Sequence, residues 1–309
     1  MNSLPVAGGP PPVVRFDSPQ FHRKNHPRMP PTVRLLPLII ALGASLGCYA
    51  PTVQRTRTYH PSDADLSVTR IVHSSAVIDF PETKILLDPW YNPTPPFGPS
   101  EPMGLSLENL PPMRGILITH KHDDHFDADT LRDYPNKSLR VIVPPGLGAQ
   151  VRAMGYQDVV ELEQWDRSQI GSVIVTAVPA RQSVLENGYV LQGNSVTLYV
   201  AGDTRFDGQM FREIGGLFPT IDAALFPVGG IRIFGEQLDM SPEEAADAFA
   251  ILKPQHVIPY HYGLTGPMPL FLGTSDAEKK FQDAVAKRDE TARKAVVILE
   301  PGASWHHYR

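Results

Sequence analysis

The densest group of reactive side chains in this 309-residue chain is Thr-His-Lys-His-Asp-Asp-His-Phe-Asp, from Thr119 to Asp127. His120, His122, Asp124 and His125 place three imidazoles and a carboxylate within six consecutive residues. Side chains this close in sequence converge on one point only where the backbone turns sharply, as it does in a loop leaving a strand. The apolar run Arg114 to Ile118 supplies that strand. A divalent cation rewards the convergence, because imidazole nitrogen and carboxylate oxygen are the ligand types that zinc and its neighbours accept. Water beside such a cation gives up its proton near neutral pH, so the chemistry implied is hydrolysis at a carbonyl or phosphoryl centre. The competing reading is a solvated, His-rich surface loop.

The motif resembles the H-x-H-x-D-H of the metallo-β-lactamase superfamily. The resemblance implies that His120 and His122 serve one metal while Asp124 and His125 serve a second. It also directs attention to two later stretches. Tyr-Val-Ala-Gly-Asp-Thr puts Asp203 where the family has a metal-bridging carboxylate, and His-Val-Ile-Pro-Tyr-His puts His261 at the family's last ligand of the second metal. Taken alone, an aspartate after a strand is a turn or cap residue, and a histidine between Tyr260 and Tyr262 is a packing residue. One position departs from the pattern: where the family has a third histidine for its first metal, Val-Pro-Ala-Arg-Gln-Ser places Gln182. An amide oxygen is a hard, weak ligand, so that metal is expected to bind loosely or to be a harder ion such as manganese. The implied cofactor is one or two divalent ions, Zn2+ or Mn2+.

The resemblance spans about Val68 to Tyr262 and implies a four-layer αββα sandwich. Within the superfamily, His-Ser-Ser-Ala-Val-Ile-Asp-Phe and the following Leu-Leu-Asp-Pro-Trp are similar to the opening of the ascorbate-6-phosphate lactonase-like branch. More distantly, the chain is similar to the N-acyl phosphatidylethanolamine phospholipase D group. His73 is then a residue behind the ligands or in the pocket wall, or simply a satisfied strand-end histidine. Asp203 is expected to bridge the metals, and Asp124 to orient the attacking water and accept its proton. Arg181 and Arg205 are candidates to grip an anionic group; their ordinary reading is as solvated surface arginines.

The elements that must position these residues are legible as short β-branched runs punctuated by Gly, Pro or Asp. They are Val68–Val72, Ser75–Phe80, Thr83–Pro89, Arg114–Thr119, Arg140–Pro144, Asp158–Glu163, Ser172–Pro179, Gly188–Gln192, Ser195–Gly202, Ile221–Val228, His256–Tyr260 and Lys294–Glu300. Ser241-Pro242-Glu243-Glu244 has the make-up of a capping box with proline at the first helical position, opening a helix to about Leu252. Ser275 to Glu278 repeats the S-x-x-E signature ahead of Phe281, Ala284 and Val285 on one helical face. Strands with helices interspersed imply an α/β layered architecture.

Composition narrows the partners. The chain is 42% hydrophobic and 20% charged, with a net charge of -5, and so carries no general electrostatic footprint for nucleic acid. Small-molecule or lipid-derived substrates come ahead of polynucleotides. The single cysteine, Cys48, rules out an internal disulfide framework and a multi-cysteine zinc site. It closes the apolar run Leu35 to Cys48, which follows Arg23, Lys24, Arg28 and Arg34 and is too short to span a bilayer as a helix. The domain reading is therefore a disordered extension or mis-assigned start over 1–28, a signal peptide over 29–48 with Cys48 as a possible lipidated residue, a linker over 49–67, and a hydrolase domain over 68–309. It implies an exported, membrane-anchored lipoprotein, with a cytoplasmic protein as the alternative.

The function expected is metal-dependent hydrolysis of a small-molecule ester, lactone or phosphoester. The alternatives are a lipid phosphodiesterase of phospholipase D type and a catalytically degenerate metal-binding scaffold. An iron-dependent oxidoreductase of this fold is expected to carry Glu at position 122 and a flavin module, and this chain has neither.

Overall fold

The computed structural model describes residues 57–309; the stretches read as a disordered extension and a signal peptide, with Cys48, lie outside the described residues. Two sheets pack face to face. The first has seven strands in the order Ser304–His307, Leu66–Val72, Ser75–Phe80, Thr83–Leu87, Gly115–Leu117, Arg140–Val143, Asp158–Glu161. The second has six, in the order His256–Tyr260, Ala223–Pro227, Val196–Val200, Asn187–Gly193, Val173–Pro179, Arg167–Ile170. Alternate side chains of both sheets, among them Ile78, Ile85, Leu117, Val175, Leu191 and Leu198, meet in a central apolar layer. Their other faces are covered by helices. Ala128–Asp133 and Gly148–Ala153 lie on the first sheet, with Leu131 and Val151 buried among Ile116 and Val141. Gly208–Leu217, Pro242–Leu252 and Ala277–Arg288 lie on the second, with Phe211, Ala245 and Phe281 buried against Tyr199 and Phe226. This is the αββα sandwich expected from the sequence.

Strand direction decides where chemistry can occur. Thr83–Leu87 pairs in parallel with Gly115–Leu117, and Val196–Val200, Ala223–Pro227 and His256–Tyr260 form a second parallel set. Carboxyl ends of parallel strands emerge at the same edge, where loops rather than the core set the surface. His73, Asp88 and His261 each directly follow the last residue of a strand, and each is held in the left-handed region, at φ 51°, 40° and 55°. Non-glycine residues occupy that region at a cost of about 1–3 kcal/mol, typically where surrounding contacts hold a functional side chain in place.

Some expectations need adjustment. The first strand starts at Leu66 rather than Val68, and Arg57 already donates to the Gly104 carbonyl at 2.8 Å, so part of the stretch read as linker is tied to the folded body. The Lys294–Glu300 run is not a strand. A 3-10 helix occupies Glu290–Ala295, and a single bridge joins Val296 to Val257. The Ser275 signature does not cap its helix: the helix starts at Ala277 behind Asp276, whose side chain makes no cap bond. The Ser241 capping box forms in full. Ser241 Oγ accepts from Glu244 N, and Glu244 Oε2 accepts from Ser241 N at 2.9 Å.

Removing that cap should be measurable without touching the site. Ser241→Ala is expected to lower stability by ~1 kcal/mol, read as a lower urea midpoint with an unchanged slope. An unchanged midpoint would show that the box contributes nothing.

Candidate metal centre

The motif loop follows the strand Gly115–Leu117 and is pinned from both sides. Asp88 accepts from Thr119 N at 2.8 Å and from Thr119 Oγ1 at 2.7 Å. At the far end, Asp127 caps the helix Ala128–Asp133 and also accepts from Tyr91 N and Asn92 N. The last carboxylate of the motif is therefore structural, and the turn between the two anchors carries His120, His122, Asp124 and His125.

These four residues, Asp203 and His261 do converge. One set, His120, His122 and Asp203, brings a ligand atom from each residue within 4.8 Å of the others; His73, Asp124, His125 and His261 form a second set of the same kind. Asp203 lies between them: its Oδ2 is 3.6 Å from His120 Nε2, 3.1 Å from His125 Nε2 and 2.8 Å from His261 Nε2. His73 belongs with the donors rather than behind them, its Nε2 being 3.2 Å from Asp124 Oδ2.

Each deeply buried imidazole has an acceptor against its other nitrogen. His125 Nδ1 is 2.8 Å from Asp88 Oδ2, His261 Nδ1 is 2.8 Å from Asp239 Oδ2, and His120 Nδ1 is 3.1 Å from Glu186 Oε1. His73 Nδ1 is 3.1 Å from the Tyr262 carbonyl. Such partners fix the ring and its tautomer, leaving Nε2 to face the centre.

What those inward atoms face tests whether a cation fits. His125 Nε2, His261 Nε2 and Asp203 Oδ1 are buried and make no aligned hydrogen bond, although both imidazole nitrogens lie close to the other oxygen of Asp203. Burial, followed by the neighbouring His261, lowers the His73 pKa to about 4. A neutral His73 whose Nδ1 donates to a carbonyl presents an Nε2 lone pair to the Asp124 carboxylate, two acceptors face to face. A cation between them resolves that conflict. Burial likewise lowers His120 to about 4, with His125 adding to it.

Burial pushes the Asp239 carboxyl up to about 6 and the Glu186 carboxyl well above its usual range, but the groups facing the centre behave differently. Burial opposes charge on His125 and His261, but Asp203 above all, with Asp124, outweighs it and holds both imidazoles well above their usual range. Burial equally opposes charge on Asp203, yet His125, His261 and His120 keep that carboxylate well below its usual range. Asp124 is held down in the same manner, chiefly by His125. Carboxylates able to retain protons on two buried imidazoles can retain divalent cations in their place.

Gly202 makes the Asp203 approach possible. It sits at φ +69°, and an added Cβ would lie 2.4 Å from Glu186 Oε1, the oxygen that accepts from Asp203 N at 2.5 Å.

A cavity of about 470 Å³ opens over the centre and is lined by His122, Asp124, Asp203 and His261. Its wall includes Lys121 and Ser183 but none of Arg181, Gln182 and Arg205. Arg181 is turned to Asp207 at 2.8 Å, so the basic residue among those lining the cavity is Lys121. The Gln182 amide is occupied, donating to the Leu238 carbonyl at 2.8 Å and accepting from Ser183 N at 2.7 Å. Asp88, Glu186 and Asp239 escaped the sequence reading. Only Asp88 carried a signal, in the Asp-Pro that directly follows its strand.

A family model described as beta-lactamase superfamily domain matches residues 83–262. The chain is 31% identical over 251 residues to a UPF0173 metal-dependent hydrolase of Pyrococcus furiosus, covering 77% of this chain and 98% of that one. It is 26% identical over 275 residues to N-acyl-phosphatidylethanolamine-hydrolyzing phospholipase D 1 of Caenorhabditis elegans, covering 79% and 76%. Among solved structures, CmlA, a diiron beta-hydroxylase from Streptomyces venezuelae, shares the fold with a TM-score of 0.63 at 19% identity; the match covers 80% of this chain and 55% of that one. The chain belongs to the beta-lactamase superfamily. Within it, the protein is a metal-dependent hydrolase, which sets aside the inert scaffold.

The carboxylates behind the imidazoles give a direct test. Asp239→Asn is expected to weaken metal binding by about 10–100-fold, measured by competition with a chromogenic chelator. Unchanged affinity would mean that His261 needs no such support.

Proposed function

We propose that the protein hydrolyses an ester, lactone or phosphoester of a small molecule, with two divalent cations, zinc or manganese, in its two donor sets. His120, His122 and Asp203 would hold one, and His73, Asp124, His125 and His261 the other. The observation that carries this reading is the group of buried atoms His125 Nε2, His261 Nε2 and Asp203 Oδ1, which make no aligned hydrogen bond, beneath an open cavity. Bound there, such cations polarise a substrate oxygen and acidify water.

The chain's own residues do the rest. Asp124 has a side chain 20% exposed and lines the cavity; kept ionised by His125, it orients the attacking water and accepts its proton. Asp203, between the donor sets, sets their separation. Asp88, Glu186 and Asp239 prevent the imidazoles from rotating, so no reorganisation is needed when charge develops. Lys121 stands on the wall to meet an anionic group of the substrate.

A second reading, phosphodiester cleavage in a lipid, is favoured by the similarity to the Caenorhabditis elegans enzyme, and a chain exported and tethered through lipidated Cys48 would suit it. A panel of p-nitrophenyl esters, lactones and bis-p-nitrophenyl phosphate, run with zinc and with manganese, separates the bond types.

Asp203→Asn is expected to lower kcat/KM on the best panel substrate by at least about 10³-fold, roughly 4 kcal/mol of transition-state stabilisation, while the protein still melts cooperatively. Chelation should abolish wild-type turnover, with recovery on metal return. Full activity in the variant, or turnover insensitive to chelator, would refute the reading.

A further inference from the structure

Outside the donors, the cavity wall is predominantly apolar. Trp90, Phe97, Ile231, Ile233, Leu238 and Leu264 line it, and outside the donors its polar lining is confined to Thr94, Lys121, Asp123 and Ser183. Its volume of about 470 Å³ falls in the ~300–1,000 Å³ range of small-molecule sites. A sugar or nucleotide bound here would leave several hydroxyls without partners against that wall, and each unpaired polar group would weaken binding. An alkyl, acyl or aryl group would lose nothing and would displace water from apolar surface.

Ile231, Ile233 and Leu238 reach the wall from a small flap, and Trp90, Phe97 and Leu264 complete it from other segments. Arg232–Ile233 pairs with Glu236–Gln237 and with Phe271–Leu272, and Phe271 stacks edge-on against Phe97 at 5.8 Å. Ile233 turns into the cavity, while the next residue, Phe234, stands at the hairpin tip, 76% exposed, and donates through its N to the carbonyl of Leu270, itself 47% exposed. Apolar side chains thus continue from the cavity wall to the outside of the flap.

We propose that the substrate is an amphiphile: a compact hydrolysable head at the donors, joined to an apolar tail seated against Trp90, Phe97, Ile231 and Ile233. This rests on the hydrolase reading of the same cavity and narrows it, placing long-chain acyl or alkyl compounds ahead of sugar acids and their phosphates. Ile231, Ile233 and Leu238 set specificity, and tails longer than the cavity continue to gain contact at the flap.

Alkylphosphonates test the assignment without turnover. Binding of ethyl-, butyl-, hexyl-, octyl- and decylphosphonate to the metal-loaded full chain is measured by calorimetry below their aggregation concentrations, alongside glucose 6-phosphate. Affinity is expected to rise about two- to fourfold per methylene, with glucose 6-phosphate weaker than hexylphosphonate by at least about tenfold. In Ile233→Asn, checked by its melting transition and metal content, the slope should flatten with ethylphosphonate affinity retained. A flat wild-type series, or glucose 6-phosphate binding as tightly as hexylphosphonate, would overturn the tail assignment. Either result, seen only with metal-loaded protein, would leave the hydrolase reading standing; a rising series identical in metal-free and metal-loaded protein would overturn both, because the head would then not sit at the donors.

Discussion

The structure depends on a pairing of carboxylate with imidazole, repeated around one cavity. Asp88, Glu186 and Asp239 each stand behind a histidine, at 2.8, 3.1 and 2.8 Å from its Nδ1. A ring so held has its tautomer settled and its Nε2 turned to the centre. Without a cation the arrangement is costly, because three buried ligand atoms have no aligned partner and buried polar atoms are rarely left so. The cost makes sense as preorganisation: the donors are placed by the fold in advance of the ion they hold.

The sandwich exists to deliver that pairing. Parallel strands in both sheets bring their carboxyl ends to one edge, and residues just past those ends, His73, Asp88 and His261, adopt left-handed backbone that the strands alone would not impose. Two apolar layers outside the sheets and one between them provide the burial that offsets local strain. The Gly202 position shows how close the tolerances are, since a single methyl there would meet the carboxylate supporting His120 and Asp203.

Much of this was legible from residue types. Short β-branched runs mark Ser75–Phe80 and His256–Tyr260 at their observed bounds, and Ser241-Pro-Glu-Glu marks its helix. The motif histidines are dense enough to stand out by themselves, whereas Asp203 and His261, ordinary turn and packing residues when taken alone, are found only through the resemblance to the family motif. What was not legible has a common cause. Glu186 and Asp239 lie in loops with no periodic pattern, and their role is created by packing against residues 66 and 22 positions away in the chain. The Lys294–Glu300 run has strand composition but only one bridge to join, since β-propensity reports a fit to a partly buried surface rather than a backbone preference. Arg181, a candidate anion ligand whose ordinary reading is as a solvated surface arginine, pairs with Asp207, whereas Lys121, inside the metal motif, is the basic residue that lines the cavity.

X-ray absorption spectroscopy of the protein loaded with zinc tests the central claim most directly. Cations held by these side chains should show nitrogen and oxygen neighbours at about 2.0–2.2 Å, strong imidazole multiple scattering, and no sulfur shell. A spectrum dominated by oxygen without imidazole scattering, or a protein that takes up no zinc, would contradict the account.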